Sequence, residues 1–253
     1  MDSSAKKKIL IVLPVYNEQL VIEKNALLVR RFCRDRLADY DCRIIIADNN
    51  SSDNTAAIAR RLGDQCREIG YSYTPQKGKG NAWRGVFLRE EADIYIVMDA
   101  DLAVALEDTL KLVQAMESGA DLAVGSRYLA GSKISRPFLR QLTSVAYRGL
   151  VRIITRSKIS DFQCGFKALN KRIRDRILPL TRDNLFFLDT EITLFCEQLG
   201  YQVKEVPVDW SEYRNPKRKS TVKVAKTVIE YLIKIYLLKG RINSIKNSKN
   251  NSK

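Results

Sequence analysis

Three short apolar runs constrain the fold of this chain more than any other feature: residues 8–15 (KILIVLPV), 42–47 (CRIIIA) and 93–98 (DIYIVM). Each is rich in β-branched residues and is followed by polar ones. A segment apolar at successive rather than alternate positions has no face to offer to water, so these read as strands buried on both sides of a parallel sheet. Between and after them lie helical patterns at about 19–37, 52–62, 80–90 and 107–117, and residues 121–126 (DLAVGS) supply a further strand. Strand and helix alternate, which predicts a doubly wound α/β domain over roughly the first 130 residues. With 253 residues, 45% hydrophobic and 29% charged, the chain can bury a core of that size.

Ligands of such sheets gather at the carboxyl ends of the strands. The first strand runs into Pro14-Val15-Tyr16-Asn17-Glu18, the second into Asp48-Asn49-Asn50-Ser51-Ser52-Asp53, and the 93–98 strand into Asp99-Ala100-Asp101. Asp99 and Asp101 stand two apart on extended chain, so both carboxylates can face one side and offer hard oxygen donors to Mg²⁺ or Mn²⁺. The same short pattern can also simply cap a helix. Asp48 and Asp53 stand in a Ser/Asn-rich turn that can cap the following helix, and Asp48 can equally accept hydrogen bonds from a base or ribose. Residues 76–81 (QKGKGN) form a basic, glycine-rich turn opening a helix, a shape suited to phosphate approach by backbone N–H groups and a lysine. The spacing of a nucleotide-triphosphatase loop is absent, and no G-x-G-x-x-G follows the first strand, which argues against a dinucleotide oxidoreductase.

The chain contains no histidine, so a Ser-His-Asp or Cys-His relay and a histidine-ligated zinc are excluded. Five scattered cysteines, never spaced C-x-x-C, suggest reduced thiols rather than a disulfide framework or a zinc site. The net charge of +15 is uneven: residues 1–130 hold 18 Lys/Arg against 19 Asp/Glu, whereas 131–253 hold 26 against 10. The second half is therefore a polycation suited to an anionic partner. Within 131–160 a helix with Leu142, Val145, Ala146, Gly149, Leu150, Ile153 and Ile154 at helical spacing carries Arg148, Arg152 and Arg156 on another face. A second segment, 219–239, aligns Val224, Val228, Leu232 and Ile235. Both fit either basic amphipathic helices at an anionic membrane surface or helices packed on the sheet with a solvated basic face. The longest uncharged stretch, residues 9–17, is far short of a membrane span, and no signal peptide is expected. Residues 241–253 read as a polar, disordered tail.

Taken in order, PVYNE (14–18), the D-x-x-S-x-D-x-T turn (48–55), GKG (78–80), DAD (99–101), GSR (125–127) and DFQCGFKA (161–168) resemble a family 2 glycosyltransferase. The branch they resemble is that of the dolichyl-phosphate glucosyl and mannosyl synthases. LDTE (188–191) and EVPVDW (205–210) are similar to the glucosyltransferase side of it. The resemblance implies a GT-A fold, a Rossmann-like and mostly parallel sheet flanked by helices. The glycosyltransferase domain would span 1–220, interrupted by the basic helical segment 131–160 and followed by an amphipathic helix at 221–240. By the same resemblance Pro14, Tyr16, Glu18, Asp48, Lys79, Asp99, Ala100 and Asp101 bind the nucleotide sugar. Asp99 and Asp101 hold Mg²⁺ or Mn²⁺, Arg127, Arg140, Arg214 and Lys219 neutralise phosphates, and Asp161 and Arg127 are catalytic. Two departures leave the donor open: the turn reads DNNSSD where many relatives have DDGS, and Ala103 stands where mannosyl synthases commonly have Gln.

The function so implied is metal-dependent, inverting transfer of a hexose from a nucleotide diphosphate sugar, of UDP-glucose or GDP-mannose type, to a polyprenyl or dolichyl phosphate. It would run at the cytoplasmic face of a membrane, where a membrane-spanning partner protein could stand beside it. A phosphate monoester arrives already ionised and needs no strong base, so the missing histidine is compatible with it. The alternative is a soluble family 2 enzyme using a protein, nucleotide or other polar acceptor. Nucleic acid is not an expected partner, because the sequence shows no RNP, KH or helix-turn-helix signature and the acidic strand ends would repel a polyanion.

Overall fold

The computed structural model describes residues 5–135, 138–211 and 224–250; the side chains of 138–143, 224–229 and 249–250 lie outside that set. Its centre is a seven-stranded sheet of β1 (Lys8–Val15), β2 (Asp41–Asp48), β3 (Ile69–Tyr73), β4 (Ile94–Val97), β5 (Leu122–Ser126), β7 (Lys167–Asn170) and β8 (Val203–Pro207), in the order β3-β2-β1-β4-β7-β5-β8. All pairs are parallel except those made by β7, which is antiparallel to both β4 and β5. Two short strands, β6 (Lys133–Ser135) and β9 (Asp209–Ser211), pair beside it.

The continuous apolar character of β1 has a direct structural meaning. Ile9, Ile11, Leu13 and Val15 enter one core layer, and Leu10 and Val12 enter the other. Successive side chains of a strand point to opposite faces, so a strand covered on both faces must be apolar throughout. The first layer is closed by α1 (Ile22–Arg36), α2 (Thr55–Gln65) and α4 (Asp108–Glu117), and the second by α3 (Lys79–Arg89), α5 (Phe138–Thr155), α7 (Leu188–Gln198) and α8 (Val224–Asn250). A short helix, α6 (Lys171–Arg176), follows β7 and is capped by Asn170.

The chain winds outward from β1 to β2 and β3, then returns to lay β4 on the other side of β1. The carboxyl ends of β1 and β4 therefore diverge at a topological switch point, where α/β sheets bind ligands. Pairing between these strands ends at Val12↔Val97, whereas β1 remains paired to β2 through Val15↔Asp48. Pro14 lies past the last β4 partner, where its missing N–H costs no ladder bond and the sheet opens into a cleft.

Several expectations about the basic half need correction. In α5 the inward residues are Tyr147, Val151 and Thr155, while Val145 and Ile153 are exposed, Ile153 at 78%. The expected apolar stripe is thus rotated outward, because Tyr147 stacks edge-on against Tyr231 and bonds Thr190. In α8 the core-facing set among the described side chains is Tyr231, Ile235, Leu238, Ile242 and Ile245; Val224 and Val228 of the expected stripe have side chains outside the described set. The tail expected to be disordered continues this helix to Asn250. Ile242 and Ile245 extend the inward stripe beyond Gly240, and Arg241 reaches the buried Glu191, so α8 is part of the domain core rather than an appendage.

Candidate active site

Four strand ends and one helix start meet at the cleft. Pro14, Tyr16 and Glu18 follow β1, Asp48 ends β2, Lys79 opens α3, Asp99, Ala100 and Asp101 follow β4, and Arg127 follows β5. Asp161 arrives from the loop before β7. Arg214 and Lys219 lie outside the described residues, as does the side chain of Arg140.

The turn after β4 is pinned from behind. Asn25 is buried in α1 and donates through Nδ2 to the Ala100 carbonyl at 2.8 Å, and the Leu102 amide closes on the Asp99 carbonyl. Leu102 takes φ 52°, an uncommon conformation for a branched side chain, so the turn is held rather than relaxed. Lys79 Nζ sits 2.5 Å from Asp99 Oδ1. Burial opposes charge on this lysine, but Asp99, with Asp189 and Asp101 adding to it, outweighs burial and holds its pKa above the usual value. Asp99 is held below the usual carboxylate range: burial would raise it, but Lys79 prevails, aided by Arg127 and Lys167. Asp101 is pushed up to about 6 by loss of hydration and then by repulsion from Asp99, with Glu18 adding to the repulsion. The two carboxylates therefore share one field, and Glu18 faces it.

Asp48 is fully buried, with Oδ1 accepting from the Ser51 amide at 2.9 Å and Oδ2 from the Tyr71 hydroxyl at 3.0 Å. Asp53 braces the turn into α2, accepting the Thr55 amide and hydroxyl and the Gln19 amide. The two carboxylates of this turn thus differ in role: Asp53 organises the start of α2, and Asp48 closes the turn beneath the cleft. Tyr71, pushed up to about 12 by burial and by Asp48, remains a hydrogen-bond donor.

The glycine-rich turn departs from its expected role. A Cβ on Gly78 would lie 2.2 Å from the Asn184 carbonyl oxygen, and one on Gly80 2.6 Å from that of Leu185. Gly78 N donates to Asn49 Oδ1 and Asn81 N to Asn184 O. The glycines admit the 184–188 segment against the start of α3, and at least two backbone N–H groups are spent on protein acceptors rather than turned to a phosphate. What the turn contributes is a rigid root for Lys79.

Arg127 and Asp161 form a nearly dry pair. Nε donates to Oδ2 at 2.7 Å, Nη2 to Oδ1 at 2.9 Å, and the Arg127 amide to Oδ2 at 3.1 Å, with the Gln163 amide completing Oδ1. Burial would raise the Asp161 pKa, but the guanidinium outweighs it and holds the carboxyl low. A carboxylate so satisfied is a weak proton acceptor and a strong anchor for a guanidinium.

Four contributors were not singled out from sequence. Glu205 clamps the loop, accepting from Ser160 N at 2.9 Å, Ser160 Oγ at 2.6 Å and Asp161 N at 3.0 Å. Lys167, 1% exposed, donates to the Phe162 and Cys164 carbonyls and pairs with buried Asp189. Asn49 holds Gly78, and Lys77 donates to the Tyr16 hydroxyl at 3.1 Å. The signal for the first two lay in EVPVDW, DFQCGFKA and LDTE, whose charged members sit among apolar neighbours.

Asp99 and Asp101 are the two carboxylates of the turn after β4, and among the described residues no cluster of three or more His, Cys, Asp or Glu forms a metal cage. Nor, among the described residues, is any helix long and apolar enough to cross a membrane.

The sequence pattern of glycosyl transferase family 2 matches residues 10–178. A glycosyltransferase of Haloferax volcanii is 33% identical over 82% of this chain and 34% of its own length. The dolichol-phosphate mannosyltransferase of Pyrococcus furiosus is 30% identical over 94% of this chain and 66% of its own length. The dolichyl-phosphate beta-glucosyltransferase of Saccharomyces cerevisiae is 28% identical over 89% and 75%. The chain thus spans about a third of the first of these proteins and about two thirds of the second. Among solved structures, glucosyl-3-phosphoglycerate synthase from Mycobacterium tuberculosis, crystallised with Mn²⁺, uridine diphosphate and phosphoglyceric acid, superimposes with a TM-score of 0.67 at 18% identity, covering 92% of this chain and 78% of that one. At that identity the likeness establishes the shared fold.

Proposed function

The chain belongs to glycosyl transferase family 2, and from that premise we propose that it transfers a hexose, with inversion, from a nucleotide diphosphate sugar to a polyprenyl or dolichyl phosphate. The observation that carries the reading is the Asp99–Asp101 pair at the β1/β4 switch point, with Lys79 against it and Arg127 close enough to lower the Asp99 pKa. Relatives named for dolichyl-phosphate transfer support the acceptor class.

The pair fits Mg²⁺ or Mn²⁺. Its donors are hard oxygens, and it already attracts an ammonium. A divalent cation there would supply charge neutralisation at the diphosphate. The remaining work falls to the chain's own groups. Tyr16 and Glu18 line the nucleotide side, above the turn that buried Asp48 closes. Lys79 is rooted to reach the diphosphate, and Arg127, fixed by Asp161, presents a preorganised positive charge to either phosphate. Asp161 acts through Arg127 as a positioning group, which suits an acceptor that brings its own negative charge.

Membrane access is proposed for the outward faces of α5 and α8. Ile153, Ile233, Tyr236 and Leu237 are 57–78% exposed, with Arg152 and Lys239 exposed on the same two helices and Arg156 exposed just past the end of α5. Such a mixture of apolar and cationic groups fits the interface of an anionic leaflet, placed here at the cytoplasmic face.

A screen of UDP-glucose, GDP-mannose and UDP-N-acetylglucosamine with a short polyprenyl phosphate tests the reaction by following glycolipid. The reading requires product from one donor, suppressed by EDTA and by Asp101→Ala. Transfer only to water-soluble acceptors would overturn the lipid assignment, and full turnover in EDTA would overturn the metal.

A further inference from the structure

The ion pair between Lys79 and Asp99 has a geometry that a permanent structural bridge does not need. The root of Lys79 is immobile: Gly78 is bonded to Asn49, and Gly78 and Gly80 are packed under the 184–188 carbonyls. The four-carbon stem beyond that root is the movable part. The ammonium and the carboxylate meet over bare backbone, since a Cβ on Gly165 would lie 2.6 Å from Lys79 Nζ and 3.1 and 3.2 Å from the two Asp99 oxygens. The other cations that lower the Asp99 pKa are committed elsewhere, Arg127 to Asp161 and Lys167 to Asp189. Among the described residues Lys79 alone makes a direct ion pair with Asp99. The exposed ring of Phe186, with its centroid 5.9 Å from Nζ, borders the route by which the ammonium would leave.

We propose that Lys79 is a resident counter-cation of the Asp99–Asp101 pair, its ammonium held on Asp99 Oδ1, so that a divalent ion would bind tightly only when a nucleoside diphosphate draws the ammonium away. This rests on the reading of Asp99 and Asp101 as the metal ligands. An ammonium and a divalent cation cannot share one carboxylate oxygen at contact distance without strong repulsion. The charge of Asp99 is thereby balanced while the site is empty. Once the diphosphate enters, Lys79 exchanges one anion for another, and the carboxylates are free for the metal. Metal and nucleotide affinities are coupled through a single side chain, and the coupling is reciprocal.

Mn²⁺ alone, titrated into the full chain and followed by the electron paramagnetic resonance signal of the free ion, tests this without turnover. Lys79→Met is expected to tighten Mn²⁺ binding about tenfold or more, as removal of a contact charge should. Lys79→Arg, which keeps the cation, is expected to remain as weak as the parent. Lys77→Met makes the same charge change two residues away, where the ammonium bonds Tyr16 instead, and is expected to shift affinity by less than about twofold. Added UDP or GDP should tighten Mn²⁺ binding more in the parent than in Lys79→Met. Should Lys79→Met lose its circular dichroism signature, Lys79→Gln replaces it. The proposal is overturned if removing the Lys79 charge leaves Mn²⁺ affinity unchanged or weaker, or if Lys77→Met tightens it equally. Undiminished Mn²⁺ binding by Asp99→Asn with nucleotide present would remove the metal reading itself, a separate outcome.

Discussion

Replacing Lys167 with Met isolates the ion pair beneath the site. Lys167 and Asp189 have side-chain exposures of 1% and 4% and stand 3.2 Å apart, and the ammonium also holds the Phe162 and Cys164 carbonyls. Methionine preserves the volume of the stem, so little cavity is created and the cost is electrostatic. It leaves the buried Asp189 carboxylate without its ion-pair partner, and stranding one member of a buried pair costs about 3–5 kcal/mol. For a chain of this size the loss corresponds to a fall in Tm of roughly 6–20 °C. Lys167→Met/Asp189→Asn, with the charge removed, should recover much of it. Urea unfolding of the parent and the two variants measures these differences. A loss below about 1 kcal/mol, or no recovery in the double variant, would refute the reasoning.

Asp161 is held low in the folded chain, so its contribution to stability is present above the ordinary carboxylate pKa and lost as pH falls through the folded value. Asp161→Asn should therefore flatten the acid limb of a stability-against-pH curve, and an unchanged acid limb would contradict the assignment. Glu205→Gln removes an acceptor from the clamp on Ser160 and Asp161; kcat should fall about tenfold with the donor KM nearly unchanged, and a KM effect alone would place Glu205 in substrate binding. Ile153→Asp with Leu237→Asp alters two exposed positions and should leave Tm within about 1 °C while reducing flotation with anionic vesicles. Unaltered flotation would move the membrane contact away from α5 and α8.

The strands most exposed to reading were those apolar on both faces. β1, β2 and β4 announced themselves because a doubly covered strand tolerates few polar residues. β3 (IGYSY) is an edge strand with only its first residue buried, and β7 (KALN) carries a buried lysine, so neither displays that pattern. The carboxylates of the site were equally legible, since Asp48, Asp99 and Asp101 stand at the ends of those conspicuous strands. The roles of Gly78 and Gly80 were not. A glycine that admits a phosphate and one that admits a carbonyl look the same in sequence, and only the position of the 184–188 segment distinguishes them.

Local chemistry therefore decided a great deal alone: the alternating strands and helices, the acidic strand ends, the exclusion of imidazole chemistry and the polycationic second half all follow from residue order and type. Pairing across the fold was a matter for tertiary structure. Asp161 and Arg127 are 34 residues apart, Lys79 and Asp99 are 20 apart, and Arg241 and Glu191 are 50 apart. A charge does not specify its partner. In the folded chain burial makes an unpaired charge costly, so partners become determined only once the sheet order and helix packing bring distant carboxylates and cations together. The outward turn of α5 and the extension of α8 to Asn250 have the same origin, because a helix with apolar residues on more than one face is oriented by what it packs against.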